Sequence, residues 1–513
     1  MNMKTLKLLR GLMSMENKIT DWDIREEILN NGFTNTCVMA SAGTGKTTLL
    51  INKLQKLNEI DNSHKSYAIL TFTNKATEEI KIRSSIENAY ISTIDSFVEN
   101  QIIRPFMNDI EETRDYPNNY KVDFSNKFKF RDAGMDLLKN KGIMGIYNDN
   151  TKNFKFEYAL NILEHSNACQ DYLKSKYRMF FIDEYQDCDK DMHSFFMYIC
   201  DNFEIPFFII GDEKQSIYQW RGAIGNIFNE VSEKFKKYYL IHSFRCHFEI
   251  NNFANLIHYP EAYVMSQKEV DRIIVYRDSE NQHRYKLIES LIKNNYLDFR
   301  NEITIFVNNN KNAEKLSNLL KTIRYNFRYI PRMPIEDSYR NSKILMTLAR
   351  FRFDQQYYLT NFIEDNFLEI SRSKLKKCFD DFFNHDITGD TYNSFINNLS
   401  TQINLDFDEN EKQSLLDTIT NDQYIICFER DSKHNIMTAF AAKGLEFDQT
   451  VAFGSDYIYE EKNQLHYVAI TRSKEKCIII DDSMGKYLNK VNITIQKNMN
   501  EKNIKYKNLY KLL

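Results

Sequence analysis

Lys46 and Thr47 close the run Ala40-Ser41-Ala42-Gly43-Thr44-Gly45-Lys46-Thr47-Thr48, and residues of these types at this spacing suit holding the tail of a nucleoside triphosphate. Gly43 and Gly45 let backbone N–H groups turn toward phosphate oxygens with no Cβ in the way. Lys46 is placed to reach the outer phosphates and Thr47 to hold Mg²⁺. Ser41, Ala42, Thr44 and Thr48 complete the loop and the first turn of a helix, whose N-terminus favours negative charge. The run matches a P-loop with Ala40 in place of the first glycine. Further along, the apolar run Phe180-Phe181-Ile182 ends in Asp183 and Glu184, followed by Tyr185-Gln186-Asp187. Asp183 suits a second contact to Mg²⁺, and Glu184 suits a general base that polarises the attacking water. Adjacent acids after an apolar run also cap helices; a P-loop upstream selects the hydrolytic reading.

These side chains need strands to carry them to a common edge. Short strand-like runs alternate with helical stretches, the pattern of α/β layering. One set is 36–40, 68–72, 90–93, 179–183 and 207–211; a second is 238–244, 303–307, 327–330, 436–440, 450–453 and 477–480. Each set is expected to form one parallel sheet. The stretches 107–174 and 337–422 break the alternation with polar, aromatic and mostly helical patterns, such as the amphipathic runs 358–367 and 373–383. The expected layout is a first sheet domain in two parts, 1–106 and 175–236, around a helical insertion at 107–174. A second sheet domain, 237–336 and 423–513, surrounds the insertion 337–422. Its last segment, 483–513, carries seven lysines and one acidic residue, Glu501, and reads as a solvated basic face.

The bulk properties narrow the class. A chain of 513 residues makes roughly three or four domains at about 150 residues each. Hydrophobic residues are 42% of the chain, too many for disorder. The net charge of −3 means that nucleic acid, if bound, meets a local groove and not a basic field. The eight cysteines form no CxxC pair and are expected as reduced thiols in a cytoplasmic protein. The neighbours Cys246 and His247 lack the second pair that a metal site needs. No apolar run is long enough to span a membrane, and the N-terminal stretch is broken by Lys7 and Arg10, so it makes a poor signal peptide.

Gly211-Asp212-x-x-Gln215-Ser216-Ile217-Tyr218-x-Trp220-Arg221-Gly222-Ala223 is long and specific, and with it the chain resembles the UvrD/Rep-like superfamily 1 helicases. The remaining motifs stand in the family's order: Thr71-Phe72-Thr73-Asn74-Lys75-Ala76, Ser243-Phe244-Arg245, Lys443-Gly444-Leu445-Glu446-Phe447 and Tyr467-Val468-Ala469-Ile470-Thr471-Arg472. The resemblance implies an α/β fold of two RecA-like parallel-sheet motor domains, each with a mainly helical insertion. It implies ATP and Mg²⁺ as cofactors and single-stranded or partly duplex DNA as partner. It assigns γ-phosphate sensing to Gln215, adenine stacking to Phe244 and ribose binding to Glu446. Arg245 would meet the γ-phosphate and Arg472 would act as an arginine finger in cis. Phe72, Asn74, Tyr218, Trp220 and Arg221 would face nucleic acid, with 3′→5′ movement.

Outside those motifs the chain resembles the helicase-like subunit of the Gabija antiphage defence system. The likeness runs through Thr93-Ile94-Asp95-Ser96-Phe97, where Asp95 replaces the common histidine, through Asn153 to Phe156, and through Asp189-Lys190-Asp191-Met192-His193. That subunit implies an OLD-type ATPase–nuclease partner in a large hetero-oligomer. Three departures stand out. Glu27 lies near the place of a glutamine that reads adenine; a carboxylate cannot donate to the ring nitrogen, so other NTPs or dNTPs are expected as substrates beside ATP. Phe440 replaces a histidine before the Lys443 motif. The insertions are short, so processive unwinding of long duplexes is not implied. Two other classes fit the motifs: a stand-alone repair-type helicase, and a non-catalytic DNA-binding scaffold. The presence of Lys46, Asp183, Glu184, Gln215, Arg245 and Arg472 together opposes the scaffold.

Overall fold

The computed structural model describes residues 21–513 except 85, 218–221, 264–269, 279, 281, 332, 338–340, 367, 369, 384–386, 429–432 and 503–508; the side chains of 74, 75, 125, 337, 342, 381 and 502 are also outside the described set. The strands, in chain order, are β1 (Thr36–Ala40), β2 (Ser66–Thr71), β3 (Ala89–Thr93), β4 (Lys121–Phe128), β5 (Ile143–Tyr147), β6 (Tyr177–Ile182), β7 (Phe207–Gly211), β8 (Lys236–Leu240), β9 (Ile273–Arg277), β10 (Ile303–Val307), β11 (Arg328–Tyr329), β12 (His434–Thr438), β13 (Phe447–Phe453), β14 (Ser473–Asp481) and β15 (Lys511–Leu512).

Six strands form the first sheet in the order β3-β2-β6-β7-β1-β8, and every pairing is parallel. Its central strands are nearly continuous apolar runs because helices cover both faces. Leu49, Leu50, Leu54 and Leu57 of the helix Lys46–Ile60 fill one face, and Phe97, Ile102, Phe195 and Ile199 lie in the core of the other. The second sheet has seven parallel strands in the order β11-β12-β10-β13-β14-β9-β15, again with an apolar cluster on each face. The fold is thus α/β with two RecA-like lobes, as the motifs imply.

Four details correct the sequence reading. The strand expected at 238–244 opens no second sheet: as β8 it pairs with β1 from Thr36↔Lys236 to Ala40↔Leu240 and closes the first. The strands β9 and β15 were not expected at all. The stretch 107–174 is not wholly helical, because β4 and β5 pair as a small sheet beside the helix Arg131–Lys141. The basic segment 483–513 is not merely a solvated face. Its helix Lys486–Lys502 buries Tyr487, Leu488, Val491 and Ile495 in the core of the second lobe, and only the opposite side meets solvent.

The stretch 337–422 forms the helices Ser342–Phe353, Leu359–Asp365, Arg372–Phe383, Gly389–Ile403 and Glu409–Ile419. They enclose a core of their own, in which the rings of Phe382 and Phe395 stack at 4.2 Å. Among the described residues no helix is long and apolar enough to cross a membrane.

Candidate active site

The P-loop follows β1 and opens the helix Lys46–Ile60. Gly43 and Gly45 both take left-handed backbone, φ +73° and +76°, which side-chain-bearing residues rarely adopt. Gly43 is required a second time by space: a Cβ there would fall 2.4 Å from Ser243 Oγ and 2.6 Å from Arg245 Cβ. The hydroxyl of Thr44 donates to Ser41 O at 2.9 Å and tightens the turn.

Asp183 and Glu184 leave the end of β6, and β7 lies between that strand and β1. Thr47 Oγ1 bridges the gap by donating to Asp183 Oδ2 at 3.2 Å. Glu184 adopts φ +52°, a strained backbone for a residue with a side chain, and its N–H donates to Asp183 Oδ1 at 2.8 Å. Burial, then the Glu184 carboxylate, push Asp183 up to about 7 against the pull of Lys46. Burial also opposes the charge on Glu184, but Lys46, Lys443, Gln186 and Arg472 outweigh it and hold Glu184 below the ordinary carboxylate value. Two hard oxygen donors, one of them a carboxylate whose charge burial disfavours, fit a divalent cation.

Among the described residues, four side chains join the lobes around this centre: Arg472, Tyr467, Lys443 and Lys214. Arg472 follows the helix Asn463–Thr471 and is buried; its Nη2 donates to Gln215 Oε1 at 3.0 Å and its Nη1 to Leu445 O at 3.2 Å. Its Nε has no partner, and among the described residues no carboxylate lies within ion-pair distance. Burial, then Arg245, lower its pKa to about 10. A guanidinium in that position is stabilised by an anion brought into the cleft. Tyr467 Oη accepts from Ala42 N at 3.1 Å. Lys443 Nζ donates to Asp187 Oδ2 at 2.6 Å. Lys214 Nζ lies 3.3 Å from Ser41 Oγ and 3.8 Å from the centre of the Tyr259 ring.

Arg245 Nε pairs with Glu446 Oε2 at 3.0 Å, so two side chains expected to grip different ends of a nucleotide meet each other. Phe244 lies on the P-loop through its N–H, which donates to Gly43 O at 2.8 Å. The residue is 49% exposed, and its ring is flanked by the Arg25 guanidinium at 5.1 Å and the His242 ring at 4.9 Å. Thr48 Oγ1 accepts from Arg83 at 2.7 Å. Phe72 follows β2 and is half-buried against the first core. Tyr218, Trp220 and Arg221, and the side chain of Asn74, lie outside the described residues.

Glu27 does not face the P-loop. It pairs with Lys236 Nζ and accepts from Tyr238 Oη at 3.2 Å, at the start of β8 and away from the P-loop end of the sheet. The reason is helical phase. Within Trp22–Asn30 it is Arg25 that faces the P-loop, donating to Thr44 O at 2.9 Å, while residue 27 points to another side of the helix. Asp21 holds Arg25 at 2.6 Å and also accepts from the N–H groups of Ile241 and His242, tying the helix to the turn before Phe244. Sequence reasoning missed Arg25, Asp187, Lys214, Lys443 and Tyr467 as contacts of this centre. Lys443 and Tyr467 sat inside quoted motifs; nothing local pointed to their partners.

Comparisons with known proteins place the chain in a family. The model of the UvrD/REP helicase N-terminal domain matches residues 23–157 and 153–236, and that of the viral superfamily 1 RNA helicase core domain matches 360–481. The chain is 36% identical to the Gabija protein GajB of Bacillus cereus over 495 residues, 94% of this chain and 99% of that one. It is 26% identical to the ATP-dependent DNA helicase Rep of Buchnera aphidicola over 320 residues, covering 50% of this chain and 48% of that protein. With the ATP-dependent DNA helicase PcrA of Staphylococcus epidermidis the identity is 26% over 270 residues, 42% and 37% of the two chains. The chain thus spans about half or less of Rep and PcrA but nearly all of GajB. Matched almost end to end with GajB and carrying the UvrD/Rep motifs on two parallel sheets, the chain belongs to the GajB family of UvrD/Rep-like superfamily 1 helicases.

Proposed function

We propose that the protein is a DNA-stimulated ATPase that acts as a translocase, helicase or DNA-end sensor inside a Gabija-like antiphage complex. The P-loop N–H groups and Lys46 grip the phosphate tail, and the open face of Phe244 takes the base. Thr47 and Asp183 would hold Mg²⁺, which neutralises charge on the phosphate oxygens. Glu184 accepts a proton from the water that attacks the terminal phosphorus, while the bond to the diphosphate leaving group breaks. Arg472, and Arg245 once it exchanges Glu446 for phosphate, stabilise the charge that spreads over the transferring group. Ribose binding by Glu446 requires the same exchange. Gln215 ties that event to the turn leading into Tyr218, Trp220 and Arg221. Together with Phe72 and Asn74 these would hold a strand of DNA, each stacked ring contributing about 1–3 kcal/mol per base. Loss of the bridging phosphate then loosens the lobes, and repeated grip and release moves the strand, with 3′→5′ as the direction implied by the resemblance.

The observation that supports this reading most is the buried Arg472 guanidinium, bonded across the cleft to Gln215 and lacking any carboxylate among the described residues. The match to the Gabija protein GajB supports the defence role, and the OLD-type nuclease partner is what the sequence resemblance to the Gabija helicase-like subunit implies. Hydrolysis of ATP and the other nucleotides by the purified chain, alone, with single-stranded DNA, with blunt ends and with the partner, tests the reading. DNA-dependent turnover that Lys46→Ala and Glu184→Gln abolish is expected. Turnover indifferent to both substitutions would refute it.

A further inference from the structure

Gln186 is fully buried and touches three parts of the candidate site. Its Oε1 accepts from the Asp212 N–H at 2.9 Å, its Nε2 donates to Glu184 Oε2, and its backbone carbonyl accepts from Ser216 Oγ at 3.1 Å. The orientation of the amide is forced. The Asp212 N–H can only donate, so the amide oxygen must face it, and the NH₂ group is left facing the Glu184 carboxylate.

The same amide explains Gly211. A Cβ at that position would fall 2.2 Å from Gln186 Oε1 and 2.8 Å from Phe228 Cζ. Gly211 does not have left-handed backbone, so space and not conformational freedom requires the glycine. The connection continues beyond Asp212. Gln215 Nε2 donates to Asp212 Oδ2 at 2.6 Å, and Arg472 Nη2 donates to Gln215 Oε1 at 3.0 Å. A series of side-chain and backbone contacts, Glu184–Gln186–Asp212–Gln215–Arg472, therefore runs from the carboxylate next to the P-loop into the opposite lobe.

We propose that Gln186 is a positioning residue that aims the Glu184 carboxylate and makes its aim depend on the turn 212–216, and so on Arg472 and on whatever the segment after that turn holds. The inference rests on Glu184 being the general base. Donating to one carboxylate oxygen restrains the side chain and leaves the other oxygen for a water proton. When the turn moves with the opposite lobe, the Asp212 N–H moves with it, and the amide that steers Glu184 follows. A carboxylate misaimed by about 1 Å costs about 100-fold in rate.

Two substitutions separate the halves of this contact. Gln186→Glu keeps the size and an acceptor for the Asp212 N–H but sets a second carboxyl against Glu184 in place of the fixed amide donor. Gln186→Met keeps the length and removes both. Steady-state hydrolysis by the full chain, with and without single-stranded DNA, is measured beside the affinity for a fluorescent ATP analogue with Mg²⁺. Both variants are expected to bind the analogue within about twofold of the parent, with KM little changed and kcat lowered about 10- to 100-fold. Gln186→Met is expected to lose the DNA stimulation that Gln186→Glu retains in part. Gly211→Ala, which crowds the amide without removing it, is a second route to the same KM-sparing loss. Parent-like kcat and stimulation in both Gln186 variants, while Glu184→Gln is dead, would overturn the positioning role alone. Parent-like hydrolysis by Glu184→Gln would instead remove the general base and this inference with it.

Discussion

Arg472 Nη2 donates to Gln215 Oε1 at 3.0 Å, and that bond joins the end of a helix in one lobe to a turn in the other. Among the described residues no carboxylate lies within ion-pair distance of Arg472, so the bond to a neutral amide leaves its charge without an ion pair in a buried cleft. A cation kept in that way is poised for an anion that arrives with the substrate, and that arrangement makes the cleft a candidate for phosphoryl transfer.

Arg472→Ala is expected to lower kcat about 1,000-fold, the scale of an arginine finger. Nucleotide affinity should change only a few-fold, because the P-loop is untouched. Equilibrium binding and single-turnover hydrolysis measured on the same preparation check both halves. A loss of binding equal to the loss of rate would show that Arg472 supports the ground state.

Among the described residues, Lys443 and Asp187 form the most buried ion pair between the lobes, with side chains 14% and 4% exposed. Lys443→Met leaves the Asp187 carboxylate unpaired and should cost about 3 kcal/mol, seen as a melting transition lowered by several degrees. Adding Asp187→Asn to that variant should recover part of the loss. Additive losses in the double variant would show that the pair does not couple the lobes.

Phe244→Ala should raise the KM for ATP about fivefold, the effect of losing about 1 kcal/mol of stacking. Arg25→Ala should do the same to a smaller extent, since Arg25 supports both the ring and the P-loop at Thr44. Glu27→Gln should leave the ranking of nucleotide substrates as it is, because Glu27 faces Lys236 and Tyr238. A changed ranking would return Glu27 to the base-reading role.

His466 lies in the second core with Nδ1 3.1 Å from His258 Nε2 and Nε2 2.9 Å from Tyr487 Oη. Burial, then Lys490 and Lys214, bring His258 down to about 3. Burial, then His258, push His466 well below the ordinary imidazole value. Both pKa values are lower folded than unfolded, so acid protonates the unfolded chain first. Stability is therefore complete above about pH 6.5 and falls as the pH drops toward 3, by up to about 1.4 kcal/mol per unit for each ring. Melting temperatures at about pH 7.5 and about pH 5.5 should differ by several degrees. His466→Phe should narrow that difference, and an unchanged difference would place the acid sensitivity elsewhere.

The shape of the phosphate-binding turn was more legible than the architecture around it. A P-loop must place glycine where φ is positive, and Gly43 and Gly45 do so, so the pattern reads directly from sequence. The strands β1, β7 and β10 were read residue for residue, because buried parallel strands are short apolar runs. β4 was invisible: Lys121-Val122-Asp123-Phe124-Ser125-Asn126-Lys127-Phe128 mixes charges and amides that read as loop. The sheet that β8 joins is set by packing against β1, which no local pattern encodes. The pair Lys443–Asp187 and the contact from Tyr467 to Ala42 link distant parts of the chain, and only the docking of the lobes brings them together. Glu27 was misplaced because a shift of two residues on a helix turns a side chain to a different face.

The central claim is that one triphosphate is held by both lobes at once. A crystal structure of the protein with Mg²⁺, ADP and aluminium fluoride tests it most directly. The account predicts the fluoride group within hydrogen-bonding distance of Lys46, Arg245 and Arg472 together, with Glu446 released from Arg245. A fluoride group bound at Lys46 while Arg472 still reaches only Gln215 and Leu445, and Arg245 still holds Glu446, would contradict it.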